Sequence, residues 1–191
     1  MRNAQHYVSA AEALAPVESG HRLFVHGSAC TPTALLRALA QERSRLRGVE
    51  LTFISTYGPM FVDQPGMEAS FHLNALFVSA SVREAVDAGR ADFVPVFLSE
   101  VPELFKRRAL PLDGALVQVS PPDRSGYCSL GPSVDVARSA VDSARYVIAQ
   151  VNPQVPRTHG DGLIPVERFA AMTWQDEPLH EARFDEAIGD A

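Results

Sequence analysis

The run HGSACTPT, from His26 to Thr33, places an imidazole, a thiol and three hydroxyls within eight residues. It separates the apolar RLFVH from the helical run TALLRALAQE, so the chain passes there from strand to helix. Four uses are known for such a turn: a phosphate cradle, a nucleophile elbow presenting Ser28 or Cys30, a loop that binds a carbonyl or carboxylate oxygen, and a plain tight connection. A Walker loop requires a second Gly and a Lys that are missing here, and G-x-G-x-x-G does not occur. A nucleophile elbow requires G-x-S-x-G, whereas Gly27 directly precedes Ser28 and no Gly follows two residues later. Cys30 near a helix N-terminus would gain thiolate character. No feature of the sequence brings His26, His72 or His159 to it, and a small residue packed at a turn accounts for it equally. The six His show no H-x-x-x-H and the two Cys no C-x-x-C, so no metal site is expected. Glu100 and Glu103 fall in the first turn of a helix, where the helix dipole favours carboxylates. Two readings stay open: N–H groups and hydroxyls offered to a carbonyl or carboxylate oxygen, or a plain turn.

The elements that position this loop follow from apolar periodicity. Helical spacing appears over 9–18 and 33–45, over SVREAVDAGRA, over SEVPELFKRR with Ser99 as N-cap, and over SVDVARSAVDSA with Ser133 as N-cap. RLFVH (22–26), VELTFIS (49–55), DFVPVF, GALVQVS (114–120) and RYVIAQVN (145–152) read as buried strands. Strands alternating with helices imply right-handed crossovers and an α/β fold with an open, mostly parallel sheet covered on both faces. Ligands then bind outside the carboxyl ends of the strands, which directs attention to GSACTP, STYGPM, PVFLSE, SPPDRSGYCSLG and NPQVPRTHGDG. The final stretch TWQDEPLHEARFDEAIGDA is acidic, holds the single Trp and shows no evident closing strand.

Composition narrows the function classes. A chain of 191 residues with 46% hydrophobic content is sufficient for one well-buried domain. Seventeen basic against 23 acidic residues give a net charge of −6, and no basic cluster interleaved with aromatics suggests a nucleic-acid groove. No apolar stretch approaches a bilayer span and the first residues lack the apolar core of a signal peptide, so a cytoplasmic protein with no membrane partner is expected. Cys30 and Cys128 are then free thiols.

DFVPVFLSEVPELF, LPLDGALVQVSPPDRSGYCSLGPSVD and ARYVIAQVNPQVPRTHGDGLIPVERF closely resemble the N-terminal half of the acetyl-CoA hydrolase/transferase family. That family includes acetate, butyrate and hydroxybutyrate CoA-transferases and succinyl-CoA:acetate CoA-transferase. The resemblance spans roughly residues 8–180 and implies a CoA-transferase-type fold, with 1–178 as the N-terminal domain and 179–191 as a linker or tail towards a C-terminal catalytic domain absent from this chain. It also implies coenzyme A as substrate with no covalently bound cofactor, an acyl-CoA and a small carboxylate as partners, and a homo-oligomeric assembly. The C-terminal domain is expected in the same or another chain. In the family a glutamate of that half attacks the thioester, beside a glycine-rich GIG-type oxyanion loop. None of Glu12, Glu50, Glu68, Glu100 or Glu103 stands in a matching motif, so no catalytic residue is assigned here. The resemblance places Gly27, Ser28, Ala29 and Thr31 on the substrate side, with Thr56 and Gly58 beside them and Pro95, Val96 and Phe97 walling the acyl pocket. Ala29 and Cys30 stand where relatives often carry glycine or another small residue. SPPDRSGYCSLG reads equally as domain-interface structure and as ligand contact, an ambiguity shared by Asn152, Thr158 and His159. Arg157 reads either as the partner of a carboxylate in the other half or as a surface ion pair. The competing reading is a non-catalytic binding or assembly module that docks onto a separate C-terminal catalytic subunit.

Overall fold

A computed structural model describes residues 6–182. In chain order it contains α1 (Ala10–Ala13), β1 (Arg22–Val25), α2 (Thr33–Gln41), β2 (Val49–Phe53), β3 (Phe71–Ala75), α3 (Arg83–Asp87), β4 (Ala91–Phe93) and α4 (Val101–Lys106). There follow β5 (Gly114–Val119), β6 (Tyr127–Ser129), α5 (Ala137–Ser143), β7 (Tyr146–Val151), β8 (Leu163–Pro165) and β9 (Ala171–Trp174). Seven strands form one parallel sheet in the order β4-β3-β2-β1-β5-β7-β9, while β6 and β8 pair antiparallel apart from it. The chain therefore starts at the centre with β1, builds one wing through β2, β3 and β4, and returns to build the other through β5, β7 and β9. The reversal falls between β1 and β5. In such sheets the crevice at that switch point is where ligands enter, and the loop after β1 opens directly into it.

Alternation within the strands assigns the two faces. Leu23, Val25, Leu51, Phe53, Leu73 and Leu116 pack with α1, α2 and α3 on one face. Phe24, Ala115, Val117, Val147 and Ala149 pack with α4 and α5 on the other, where Phe24 meets the edge of Phe105 with ring centroids 5.9 Å apart. Helices thus cover both faces, as periodicity implies. Towards β4 the second face carries a polar row instead: Arg22 grips Glu50 through two hydrogen bonds of 2.7 and 2.8 Å, and Asn74 donates to the same carboxylate at 2.7 Å.

Several boundaries depart from the periodicity. The first helix is a single turn closed by a capping box between Ser9 and Glu12, and α2 ends at Gln41 with a 3₁₀ turn over Glu42–Ser44. Neither Ser99 nor Ser133 caps a helix: α4 starts from a 3₁₀ turn over Leu98–Glu100, and Asp135 Oδ1 accepts the Ala137 N–H ahead of α5. β3 lies where no strand was expected from periodicity. β9 closes the sheet where the stretch that reads as lacking a strand begins, sharing Thr173 and Trp174 with it, and Trp174 at its end meets Tyr7 edge-on at 5.4 Å.

Candidate functional site

At the end of β1 the chain turns sharply because Ser28 adopts a positive φ of 53°. That conformation is uncommon outside glycine and is held here by hydrogen bonds on either side. The Ser28 N–H donates to Ser55 O at 2.6 Å, and Ser28 forms a parallel bridge with Thr56. Gly27 permits the approach: a Cβ there would lie 2.5 Å from Ser55 O. Thr31 completes the joint, with its hydroxyl donating to Ser28 O at 2.9 Å and accepting the Tyr57 N–H at 3.0 Å. Gly27, Ser28, Thr31, Thr56 and Gly58 are therefore one assembly, built where β1 and β2 end.

The donors of this assembly are mostly engaged. Cys30 N–H and Thr31 N–H donate to Gly27 O and Ser28 O. At the start of α2 the N–H groups of Ala34 and Leu35 donate to Gln150 Oε1, at 3.0 and 3.3 Å. Gln150, fully buried on β7, donates in turn to Gln118 Oε1 at 2.7 Å, and Asn152 donates to that oxygen at 3.2 Å. The helix N-terminus that would cradle a phosphate is thus occupied by a side-chain amide from 116 residues away. Composition offered no signal for this, because a glutamine inside an apolar strand has no partner until the sheet forms.

His26 and Cys30 do not make a catalytic pair. The buried His26 ring accepts the Gln118 N–H at Nδ1, so Nε2 carries the proton and donates to Ser133 O at 2.6 Å. Burial depresses its pKa and keeps the ring neutral. Burial also pushes the Cys30 thiol up to about 11 and Cys128 up to about 12, the behaviour of packed rather than reactive thiols.

Beside the assembly lies an open pocket of about 540 Å³, lined by Thr56, Tyr57, Gly58, Ser79, Ala80, Ser81, Glu181 and Ala182. Its floor is a chain of hydroxyls: Thr56 Oγ1 to Ser81 Oγ at 3.0 Å and Ser81 Oγ to Ser79 Oγ at 2.8 Å. Gly58, with φ of 77°, brings its Cα against the His180 ring, where any Cβ would collide. His180 Nε2 also meets Thr33 Oγ1 at 2.7 Å. Residues 175–182 consequently cross the carboxyl end of the sheet, tied on the way by Asn152 Nδ2 to Glu177 O at 2.9 Å. Periodicity did not reveal Ser79, Ser81 or this crossing. The expected linker over 179–191 lies beyond the described residues from 183 onward. A second, smaller pocket of about 240 Å³ sits at the opposite, amino ends of β3 and β4, against His72 and Arg90.

Pro95, Val96 and Phe97 stand apart from the pocket lining among the described residues. Val96 packs towards α4, and Phe97 is 77% exposed beside Leu98 at 59%. The two long loops fold onto each other. Arg157 pairs with Asp123 of this chain at 2.5 Å and donates to Tyr127 O, and Thr158 bonds Ser129. His159, between Thr158 and Gly160, belongs to the same loop.

Comparison with known proteins gives this geometry relatives. Residues 2–181 match the acetyl-CoA hydrolase/transferase N-terminal domain. The chain is 42% identical over 168 residues to a succinyl-CoA:acetate/propanoyl-CoA:succinate CoA transferase of Fasciola hepatica, covering 86% of this chain and 34% of that protein. Among solved structures, RipA from Yersinia pestis superposes with a TM-score of 0.86 at 26% identity, over 95% of this chain and 45% of that one. The 4-hydroxybutyrate CoA-transferase from Porphyromonas gingivalis superposes with a TM-score of 0.72 at 28% identity, over 92% of this chain and 41% of that one. The chain thus spans less than half the length of each of these three proteins. From the loop at the switch point to the paired motifs of β6 and β8, it belongs to the acetyl-CoA hydrolase/transferase family, of which it forms the N-terminal domain.

Proposed function

We propose that this domain supplies the acyl and carboxylate side of an active site that transfers CoA between an acyl-CoA and a carboxylate, or releases it to water. The observation that carries this reading is the joint of Gly27, Ser28 and Thr31 with Thr56 and Gly58 at the switch point, beside an open pocket. The nucleophile is a glutamate of a C-terminal half. Its carboxylate attacks the thioester carbon, giving a mixed anhydride and CoA thiolate. The thiolate attacks the glutamyl carbonyl, forming glutamyl-CoA thioester and releasing the first carboxylate; an incoming carboxylate, or water, resolves it. With an incoming carboxylate, the thiolate leaves again and attacks the new acyl carbon, restoring the glutamate. The domain's part is to hold the acyl group and the acceptor in line with that nucleophile. Exposed Pro95, Phe97 and Leu98 support a wall that the other half completes.

The test is exchange of labelled acetate into acetyl-CoA, with borohydride trapping of glutamyl-CoA. The 191-residue chain alone is expected to show none, and the complete protein to show exchange that Ser28→Ala with Thr31→Val lowers about tenfold or more. Exchange by the chain alone would place the nucleophile within it. Absence of exchange in the complete protein with every acceptor tried would favour the assembly-module reading, which the exposed Phe77, Phe93 and Phe97 also fit.

A further inference from the structure

We infer that edge strand β4 pairs antiparallel with β4 of a second copy of this chain about a twofold axis at Ala91, each copy seating Phe93 in the pocket beside the other's Gly89. Among the described residues β4 is the last strand of its wing. Val94 N–H donates to Ala75 O, in the register that sets Ala75 opposite Phe93. Asp92 and Val94 therefore turn their backbone groups to β3, and the N–H and C=O of Ala91 and Phe93 point out from the edge. Such an edge is a template for another strand.

The side chains choose the register. An axis at Asp92 would set two carboxylates directly opposite each other, where like charges destabilise. An axis at Phe93 would set Ala91 opposite Pro95, which has no N–H to give. An axis at Ala91 joins the two alanines by reciprocal N–H···O bonds and sets Arg90 of each copy against Asp92 of the other. Both charges are within reach, with side chains 41% and 74% exposed. Within the chain Arg90 has only Glu84, at 3.9 Å, while Asp92 meets His72 Nε2 through Oδ2 at 2.9 Å.

The same axis brings Phe93 of each copy to the turn at Gly89 of the other. Phe93 is 47% exposed and by alternation shares the face of Ala91, which packs with Leu73 and Ala85. The pocket of about 240 Å³ at the amino ends of β3 and β4 lies on that face: Val62, Phe71, Leu73 and Ala85 floor it, and Gly89 and Arg90 line it. Nothing stands within 4 Å of where a Cβ on Gly89 would sit, so the space there is open. A ring left in water on one copy thus meets an apolar floor left open on the other, twice over. This reciprocity is what a closed dimer requires and what a docked foreign segment has no need of.

The test uses the complete protein that carries this domain, with Ala91→Cys. Directly opposite residues of a hydrogen-bonded antiparallel pair have Cα atoms about 5.5 Å apart, within disulfide reach. Mild oxidation is expected to give a chain of doubled mass on non-reducing gels, and the wild type, whose Cys30 and Cys128 are buried, to give none. In the Ala91→Cys background, Asp92→Arg opposes like charges across the axis and is expected to lower the cross-linked fraction about fivefold. Adding Arg90→Asp is expected to restore it, which loss of the His72 contact alone would not allow. Phe93→Ser, which empties both pockets, is expected to lower it about tenfold. If Ala91→Cys gives too little folded protein, sedimentation equilibrium of the wild type, Asp92→Arg and the charge-swapped double variant decides, by the same loss and recovery of the dimer. No cross-link in folded Ala91→Cys, as when the C-terminal half covers this edge, would overturn the inference. So would a cross-linked fraction or an association constant unmoved by the charge reversal.

Discussion

Glu50 illustrates how a single side chain holds the less covered half of the sheet. Its burial would raise the carboxyl pKa, but hydrogen bonds from Arg22, Asn74 and Thr52 and the Arg22 charge outweigh that and hold it below the ordinary glutamate value. A carboxylate with a lowered folded pKa contributes stability that is fully present above its unfolded value, about 4.3, and is lost as pH falls through the folded one. Melting temperature followed from pH 7 to pH 3 is therefore expected to fall more steeply below about pH 4.3 in the wild type than in Glu50→Gln. The variant is expected to be less stable at pH 7, because Arg22 keeps its partial burial without its charge partner. Equal acid limbs in the two proteins would show that Glu50 contributes nothing to the pH dependence. The polar row also explains a misreading: His72 and Asn74 interrupt FHLNA, so β3 shows neither the apolar run by which β1, β5 and β7 are recognised nor the density of β-forming residues that marks VELTFIS around β2.

At the scale of elements, helix α2 has an apolar face legible at helical spacing, whereas the group that caps it is not. Pro32 precedes the helix and supplies no side-chain cap; the cap arrives from β7 through Gln150. Replacing Gln150 by Leu leaves two buried N–H donors and Gln118 Oε1 without that partner, and is expected to cost about 3 kcal/mol in the denaturant-derived stability. A loss below about 1 kcal/mol would mean that water or another side chain takes over the cap. The same long-range logic hid the loop joint. Gly27, Ser28 and Thr31 are visible as turn residues, but their bonds to Ser55 and Tyr57 exist only once β1 and β2 are paired. Edge strand β9 escaped notice because AMTW is short and only partly covered, with Thr173 its one buried residue.

Across the whole molecule, residues 175–182 link the two wings of the sheet. The segment leaves β9 on one side, bonds Asn152 in the middle and sets His180 on Gly58 beside β2 on the other. His180→Ala removes the ring contact and the bond to Thr33, and is expected to lower the melting temperature by about 2–4 °C, as a loss of about 1 kcal/mol does in a chain of this size. An unchanged melting temperature would show that the crossing follows the fold without supporting it. The amide that caps α2 has a further consequence, in time rather than in space. Gln150 leaves the ribosome 116 residues after Ala34, about 6–23 s later at ordinary rates of synthesis. Until then the switch-point loop has its glycine, its serine and its helix but not the cap that anchors the helix start. The switch-point loop is therefore among the last parts of the nascent chain to take shape, and cleavage before β7 would release a sheet half built around an uncapped helix start.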